Sequence, residues 1–182
     1  MTIRIEPFGA GRRADFRALH SDANEAGWCR CVAWWVPTWD GWGERTAEEN
    51  AALRETLCDG GEYDGLLAYE CDGPVGWCQL GPRDRLRKLV GDLELDPEPA
   101  VWAVTCFLVP PRMRRRGVAA ALLAAAVDAA RDGGASRLEG YPRTVAEEPG
   151  EMWTGPLELY LRAGFRPVQP GSPRSVVALQ LI

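Results

Sequence analysis

Val101-Trp102-Ala103-Val104-Thr105-Cys106-Phe107-Leu108-Val109-Pro110-Pro111-Arg112-Met113-Arg114-Arg115-Arg116-Gly117-Val118-Ala119 is the stretch that decides the fold. The unbroken apolar run from Val101 to Val109 reads as a central strand buried on both faces. Pro110 and Pro111 stop it, because proline brings no N–H to a ladder and restricts the residue before it. An arginine-rich turn follows, then Gly117. Beyond it Val118-Ala119-Ala120-Ala121-Leu122-Leu123-Ala124-Ala125-Ala126-Val127 is rich in good helix formers. Strand, basic turn, glycine and helix start together make an anion site. The free N–H groups of a helix N-terminus carry about half a positive charge. A residue without a side chain at 117 lets a phosphate reach the backbone.

The turn Arg114-Arg115-Arg116-Gly117-Val118-Ala119 resembles the acetyl-CoA pyrophosphate loop of the GNAT superfamily of N-acyltransferases, Gln/Arg-x-x-Gly-x-Gly/Ala. A second, separate segment supports it. Leu157-Glu158-Leu159-Tyr160-Leu161-Arg162-Ala163-Gly164-Phe165 resembles the family's closing Tyr-x-x-x-Gly-Phe. Further segments look like a bacterial subgroup of mostly unassigned substrate. They are Gly76 to Arg83, Thr105-Cys106-Phe107, Glu139-Gly140-Tyr141-Pro142 and the Trp/Cys-rich N-terminal stretch. The resemblance covers residues 63–182 well and the N-terminal third in outline.

The 182 residues suit one domain with a full core, and 46% are hydrophobic. No run reaches the ~18 apolar residues of a membrane span, and the first residues show no signal-peptide pattern. The reading is a cytoplasmic protein. A net charge of −5 argues against a nucleic-acid partner, despite the basic run Arg112–Arg116. Of the six cysteines, Cys29, Cys31, Cys58, Cys71, Cys78 and Cys106, none forms a C-x-x-C pair. They read as reduced, mostly buried thiols. Cys29-x-Cys31 is too short for a zinc knuckle, and His20 is the only histidine, so no metal site is expected. Trp28, Trp34, Trp35, Trp39 and Trp42 crowd the same stretch, as a small core or a pocket wall.

Working outward from the central strand, residues 2–6 alternate as a first strand and 12–20 look helical. The segment 27–43 reads as irregular, and Thr46-Ala47-Glu48-Glu49 is a capping box opening a helix to about Cys58. Strands 63–71 and 75–80 join through Asp72-Gly73-Pro74. Residues 82–99 give a short helix, then an acidic loop over one edge of the sheet. The helix 117–132 leads to strand 137–141, a loop, a helix near 156–163 and strands 165–168 and 175–181. The expected fold is α/β, a single GNAT-type domain with a mixed sheet flanked by helices. One parallel pair comes from the strand–helix–strand unit 101–141. Residues 1–62 would cap the substrate side and 63–182 would form the CoA-binding core.

The resemblance implies acetyl-CoA as cosubstrate. Backbone groups from Arg115 to Ala120, with Gly117, Val118 and Ala119 between, would hold the pyrophosphate. Arg114, Arg115 and Arg116 would add charge-assisted contacts. Phe107, Leu108 and Val109 would pair with the pantetheine amides where their strand splays from its neighbour. Tyr160 matches the family's general acid to the departing thiolate; by spacing alone it is also a core aromatic beside Leu157 and Leu161. The family often places a glutamate on the central strand as base, and strand 101–109 has no acid. The candidates are Glu139, Asp92, Glu94 and His20, with Glu139 placed on a strand bordering the cleft. Trp28, Trp35, Trp77, Trp102 and Tyr141 could wall the acceptor pocket, favouring a cationic amine. Core packing is the preferred account of Trp77 and Trp102, and a solvated loop that of the acids of 92–98. The implied activity is acetyl transfer to a small primary amine. The alternatives are a non-catalytic acyl-CoA-binding domain and a protein N-acetyltransferase, with a homodimer left open.

Overall fold

β4 (Val101–Leu108) lies at the centre of a seven-stranded mixed sheet of order β1-β2-β3-β4-β5-β7-β6. The computed structural model describes residues 2–23, 32–71, 73–143, 149–169 and 174–181. Along the chain run β1 (Arg4–Pro7), α1 (Arg13–Ala23), α2 (Ala47–Asp59), β2 (Gly65–Glu70) and β3 (Gly73–Pro82). The short α3 (Arg87–Asp92) precedes β4, followed by α4 (Val118–Asp132) and β5 (Arg137–Gly140). α5 (Leu157–Arg162), β6 (Arg166–Gln169) and β7 (Val176–Gln180) complete it. Every pairing is antiparallel except β4 with β5, the parallel pair expected from the 101–141 unit. Residues 1–62 do more than cap the fold, since β1 pairs with β2 as an edge strand.

Two layers of helices cover the sheet. α4 buries Val118, Leu122, Leu123, Ala126, Val127 and Ala130, a stripe at helical spacing. That stripe meets Leu66, Ala68, Cys78, Leu80, Val104 and Leu138, and α5 adds Tyr160. Truncating a leucine in such a position costs about 2–5 kcal/mol. The opposite face carries two further clusters. In one, Phe16 and Leu19 of α1 and Leu57 of α2 pack on Leu67, Trp77 and Cys106. In the other, Leu86 and Leu89 pack on Ala103, Tyr141 and Val176.

In this second cluster Leu86 and Leu89 of the short helical segment are buried, with Leu93 and Leu95 of the loop packed against it, and the loop reaches the edge strand β6, where the Leu93 carbonyl accepts from Gln169 Nε2 at 3.1 Å. Its acids from Asp92 to Glu98 remain exposed or half-buried, as in a solvated loop. Asp92 accepts the indole N–H of Trp39 at 2.6 Å, and Glu98 pairs with Arg137 at 2.7 Å. The capping box on α2 has both halves: Thr46 Oγ1 accepts from Glu49 N–H at 3.1 Å, and Glu49 Oε2 accepts from Thr46 N–H at 2.9 Å.

Candidate active site

β4 carries an irregularity that the apolar run conceals. Gln79 pairs with Cys106 but Leu80 pairs with Val104, so Thr105 is an extra residue on β4, a β-bulge. The bulge switches side-chain parity. Val104 and, beyond it, Phe107 join the α4 cluster, while Ala103 and Cys106 face the other layer. Thr105 and Gln79 are both buried, and the Thr105 hydroxyl donates to Gln79 Oε1 across the distorted ladder.

The ladder to β5 stops at the same level. Its last pair is Val104 with Gly140, although β4 runs on to Leu108 and stays paired with β3 through Trp77. The sheet therefore splits. Among the described residues no strand pairs with β4 on its β5-facing side beyond Val104. Phe107 and Leu108 lie on this stretch. The Val109 carbonyl accepts from Arg114 Nε at 3.1 Å, which anchors the start of the basic turn.

The turn places its backbone as an anion cradle. Arg115 (φ 59°) and Gly117 (φ 83°) both adopt left-handed conformations, and Gly117 is the N-cap of α4 with no side chain capping the helix. A Cβ at Gly117 would meet no atom within 4 Å, so the space in front of the helix end is open. Arg114, Arg115, Arg116 and Ala120 are exposed and Ala119 is half-buried. Arg116 reaches Glu70 at 3.4 Å and the Met113 sulfur at 3.3 Å. Val118 turns its side chain into the core. The residues present fit a diphosphate.

Tyr160 sits at the mouth of the split. Its ring lies flat on Gly140, the last paired residue of β5, so closely that a Cβ there would come within 2.1 Å of it. Phe107 meets it edge-on at 6.2 Å, and Gly155 passes within contact of both rings. The hydroxyl donates to the Thr154 carbonyl at 2.7 Å. Burial, with smaller contributions from the Cys78 and Cys106 thiols, holds the phenol well above its ordinary pKa. It stays protonated at neutral pH.

Glu139 is displaced from the role its sequence position suggested. It is buried, and its two oxygens receive Arg83 Nη1 at 3.1 and 3.0 Å, Arg137 Nε at 3.0 Å and the Tyr141 hydroxyl at 2.8 Å. Arg83 Nη2 donates further to the Asp96 carbonyl. A carboxylate so engaged has no lone pair turned toward an acceptor amine, and Glu139 is a structural anchor. The other acid–base candidates fit no better. Asp92 serves Trp39, and Glu94 is an exposed turn residue at φ 51°. His20 is buried against Phe16, with burial and then Arg54 pushing its pKa down to about 3.

The aromatic wall is likewise dispersed. Trp77 is fully buried, stacked on Tyr63 (5.8 Å) and met edge-on by Phe16 (4.7 Å) and Phe8 (5.3 Å). Trp102 packs on Gly133 at the far end of α4 from the basic turn. Tyr141 is buried beside Glu139, and burial first, then the Glu139 carboxylate, holds its hydroxyl well above the ordinary pKa. Trp28, Cys29 and Cys31 lie outside the described residues. Among the described residues no group of histidine, cysteine and acidic side chains could hold a metal, and no helix is long and apolar enough to cross a membrane.

The split sheet beside an open helix N-terminus decides the family. The model of the acetyltransferase (GNAT) family matches residues 28–147. The chain belongs to the GNAT family. Solved GNAT structures share its fold at low identity. An N-acetyltransferase from Staphylococcus aureus Mu50 superposes with a TM-score of 0.60 at 16% identity, covering 100% of both chains. The PaiA N-acetyltransferase of Thermoplasma acidophilum, solved with coenzyme A, gives 0.55 at 10% identity and 99% coverage of both. The ribosomal-protein-S18-alanine N-acetyltransferase of Escherichia coli gives 0.56 at 13%, covering 99% of this chain and 94% of that one. A search of curated protein sequences returns no match.

Two features of this GNAT site escaped the sequence. The Thr105 bulge had no local signal. Gly140 did have one, a glycine inside a strand, which often marks close approach by another group; here that group is Tyr160.

Proposed function

We propose that this GNAT protein transfers an acetyl group from acetyl-CoA to a primary amine of a small acceptor. The observation that carries the reading is that, among the described residues, no strand pairs with β4 beyond Val104 on its β5 side, just ahead of the basic turn and the uncapped start of α4. When bound, acetyl-CoA supplies the activated thioester. The N–H groups from Arg115 to Ala120 would hold its diphosphate, with Arg114, Arg115 and Arg116 adding charge-assisted contacts. Phe107 and Leu108 would extend their ladder to the pantetheine amides. An N–H on this stretch would polarise the thioester carbonyl in a site shielded from water.

Tyr160 is the proposed acid for the departing thiolate. A hydroxyl has one proton to give, and in this structure it goes to the Thr154 carbonyl. Donation to sulfur therefore requires the O–H to swing away from Thr154. With Glu139 committed to Arg83, Arg137 and Tyr141, the acceptor amine would enter as its free base, its proton lost to solvent. The occupation of Tyr160's only proton equally favours the second reading, a non-catalytic acyl-CoA-binding domain.

Thermal unfolding with and without acetyl-CoA tests the site. At ~100 times Kd the ligand stabilises by ~2.7 kcal/mol, a rise of about 5–10 °C for a chain of this length. Gly117→Glu puts a carboxylate into the open space before α4 and loses the shift. Amine-dependent release of free CoA thiol separates the enzyme from the binding domain. No shift with the wild-type protein would end both readings.

A further inference from the structure

Tyr160 has its ring fixed on several sides and one freedom left. Phe107 and Phe165 meet it edge-on at 6.2 and 5.3 Å, Gly140 lies under it, and the residue is 0% exposed. The ring cannot turn aside, so the phenol oxygen keeps its place and only the direction of its proton is left to set. The Thr154 carbonyl sets it by accepting the O–H at 2.7 Å. Whatever holds that carbonyl therefore controls the proposed acid.

Thr154 is buried and is held from both ends. The turn Pro149–Thr154 packs against β4. On its C-terminal side Gly155 takes a left-handed φ of 86°, and a Cβ there would come within 3.2 Å of both the Phe107 and Tyr160 rings. On the other side the Thr154 hydroxyl accepts from Arg174 Nη1 at 3.1 Å. The Arg174 guanidinium lies over the rings of Trp34 and Trp153, 5.4 and 5.1 Å from their centroids, and those two rings meet at 5.6 Å. A planar guanidinium against aromatic faces is better fixed than one in water. The backbone of Arg174 is fixed as well. It bridges to Arg143, and the next N–H, that of Ser175, donates to the Pro142 carbonyl at 3.1 Å, which carries the β5–β7 pairing past Gly140. One side chain thus reaches from the start of β7 to the residue that takes the acid's proton.

We propose that Arg174 is a positioning residue for Tyr160: by holding the Thr154 side chain it fixes the carbonyl that orients the phenol proton. The inference rests on the reading of Tyr160 as the acid. Arg174 acts through Thr154 and not on the reacting atoms.

Two measurements test it, and the first needs no turnover. The chain has four tyrosines, so NMR of protein carrying tyrosine labelled with carbon-13 at Cζ gives a simple spectrum, and Tyr160→Phe identifies the Tyr160 signal. Thr154→Val keeps the carbonyl and removes the acceptor of Arg174. Arg174→Met keeps a stem on the tryptophans and removes the donor. Each moves the Tyr160 signal and leaves that of Tyr69, which donates to Asp15, in place. Arg174→Lys keeps a charged donor and restores the signal in part. The second measurement is steady-state thiol release. Arg174→Met and Thr154→Val each lower kcat by roughly tenfold, with KM for acetyl-CoA within about twofold of wild type. The two changes together lose no more than either alone. In a Tyr160→Phe background Arg174→Met causes no further loss, whereas a merely structural arginine would lower the rate by the same factor in both backgrounds. A Tyr160 signal unmoved in both Arg174→Met and Thr154→Val, or an equal loss of kcat with and without the phenol hydroxyl, overturns the proposal. A moved signal in a protein that releases no thiol with any amine supports the link from Arg174 to Tyr160 and refutes the transferase reading instead.

Discussion

Replacing Glu139 by Gln separates a structural carboxylate from a catalytic one. Glu139 is 2% exposed, and three residues donate to it: Arg83, itself 1% exposed, Arg137 and the buried Tyr141. The substitution leaves the shape but removes the charge, and its amide nitrogen offers donors where Arg83 and Tyr141 also bring donors. Breaking one member of a buried pair costs about 3–5 kcal/mol, because the partner charge remains buried. At roughly 2–4 °C per kcal/mol for a chain of this size, the melting temperature falls by about 6–20 °C. Thermal unfolding followed by circular dichroism reads the stability, and thiol release at 15 °C reads turnover of the fraction still folded. The expected pattern is a large loss of stability with turnover per folded molecule within a fewfold of wild type. A melting temperature within 2 °C of wild type, accompanied by collapse of turnover, would refute the argument and restore Glu139 as the base.

Other consequences of the same geometry can be measured. Gly140→Ala drives a Cβ to within 2.1 Å of the Tyr160 ring, which is buried and cannot step aside; it costs about 1–3 kcal/mol as overpacking and lowers kcat by moving the proposed acid. Tyr160→Phe lowers kcat much more than KM, and unchanged turnover removes Tyr160 from the mechanism. In the absence of a protein base, kcat/KM rises with pH and levels off at the acceptor's own pKa, following the acceptor when amines of different pKa are compared. His20 is held neutral, with its folded pKa near 3 against an ordinary value near 6.5. The unfolded chain therefore binds the extra proton first, and stability falls as pH drops below about 6.5, by up to about 1.4 kcal/mol per unit toward pH 3. Urea unfolding of wild type and His20→Gln across that window isolates the slope, which is shallower in the variant.

What could be read in the chain depended on how far apart the deciding residues lie. The capping box spans four residues, and both of its hydrogen bonds form. The strand, turn and helix of 101–132 are contiguous, and their bounds differ from expectation by one residue at the end of β4 and one at the start of α4. The partner of Glu139 is 56 residues away in Arg83, at the start of a segment that read as a short helix followed by an acidic loop. Nothing local marks an arginine that will be buried. The tryptophans failed for a related reason. Trp77 and Trp102 are large enough to wall a pocket or fill a core, and only the neighbours brought by α1 and α4 decide between the two.

The bulge shows why the split itself could not be located from composition. The run Val101–Val109 is apolar at nearly every position, so inserting one residue changes no hydrophobic pattern that a reader could see. Yet a one-residue shift exchanges which side chains face which layer. Before Thr105, Val104 faces α4; after it, Phe107 does, and Cys106 turns to the other layer. A strand buried on both faces tolerates such a switch, because either layer accepts an apolar side chain. The polar exception is Thr105, and its hydroxyl finds Gln79 on the neighbouring strand. The one hydroxylated residue in the run is thus the residue that the ladder leaves over, satisfied by the one amide side chain opposite it. Removing either partner, by Thr105→Val or Gln79→Leu, leaves the other buried without its bond at a cost of about 1–3 kcal/mol. Replacing both together restores part of that loss. If the two single losses instead add in the double variant, the pair is not what holds the bulge.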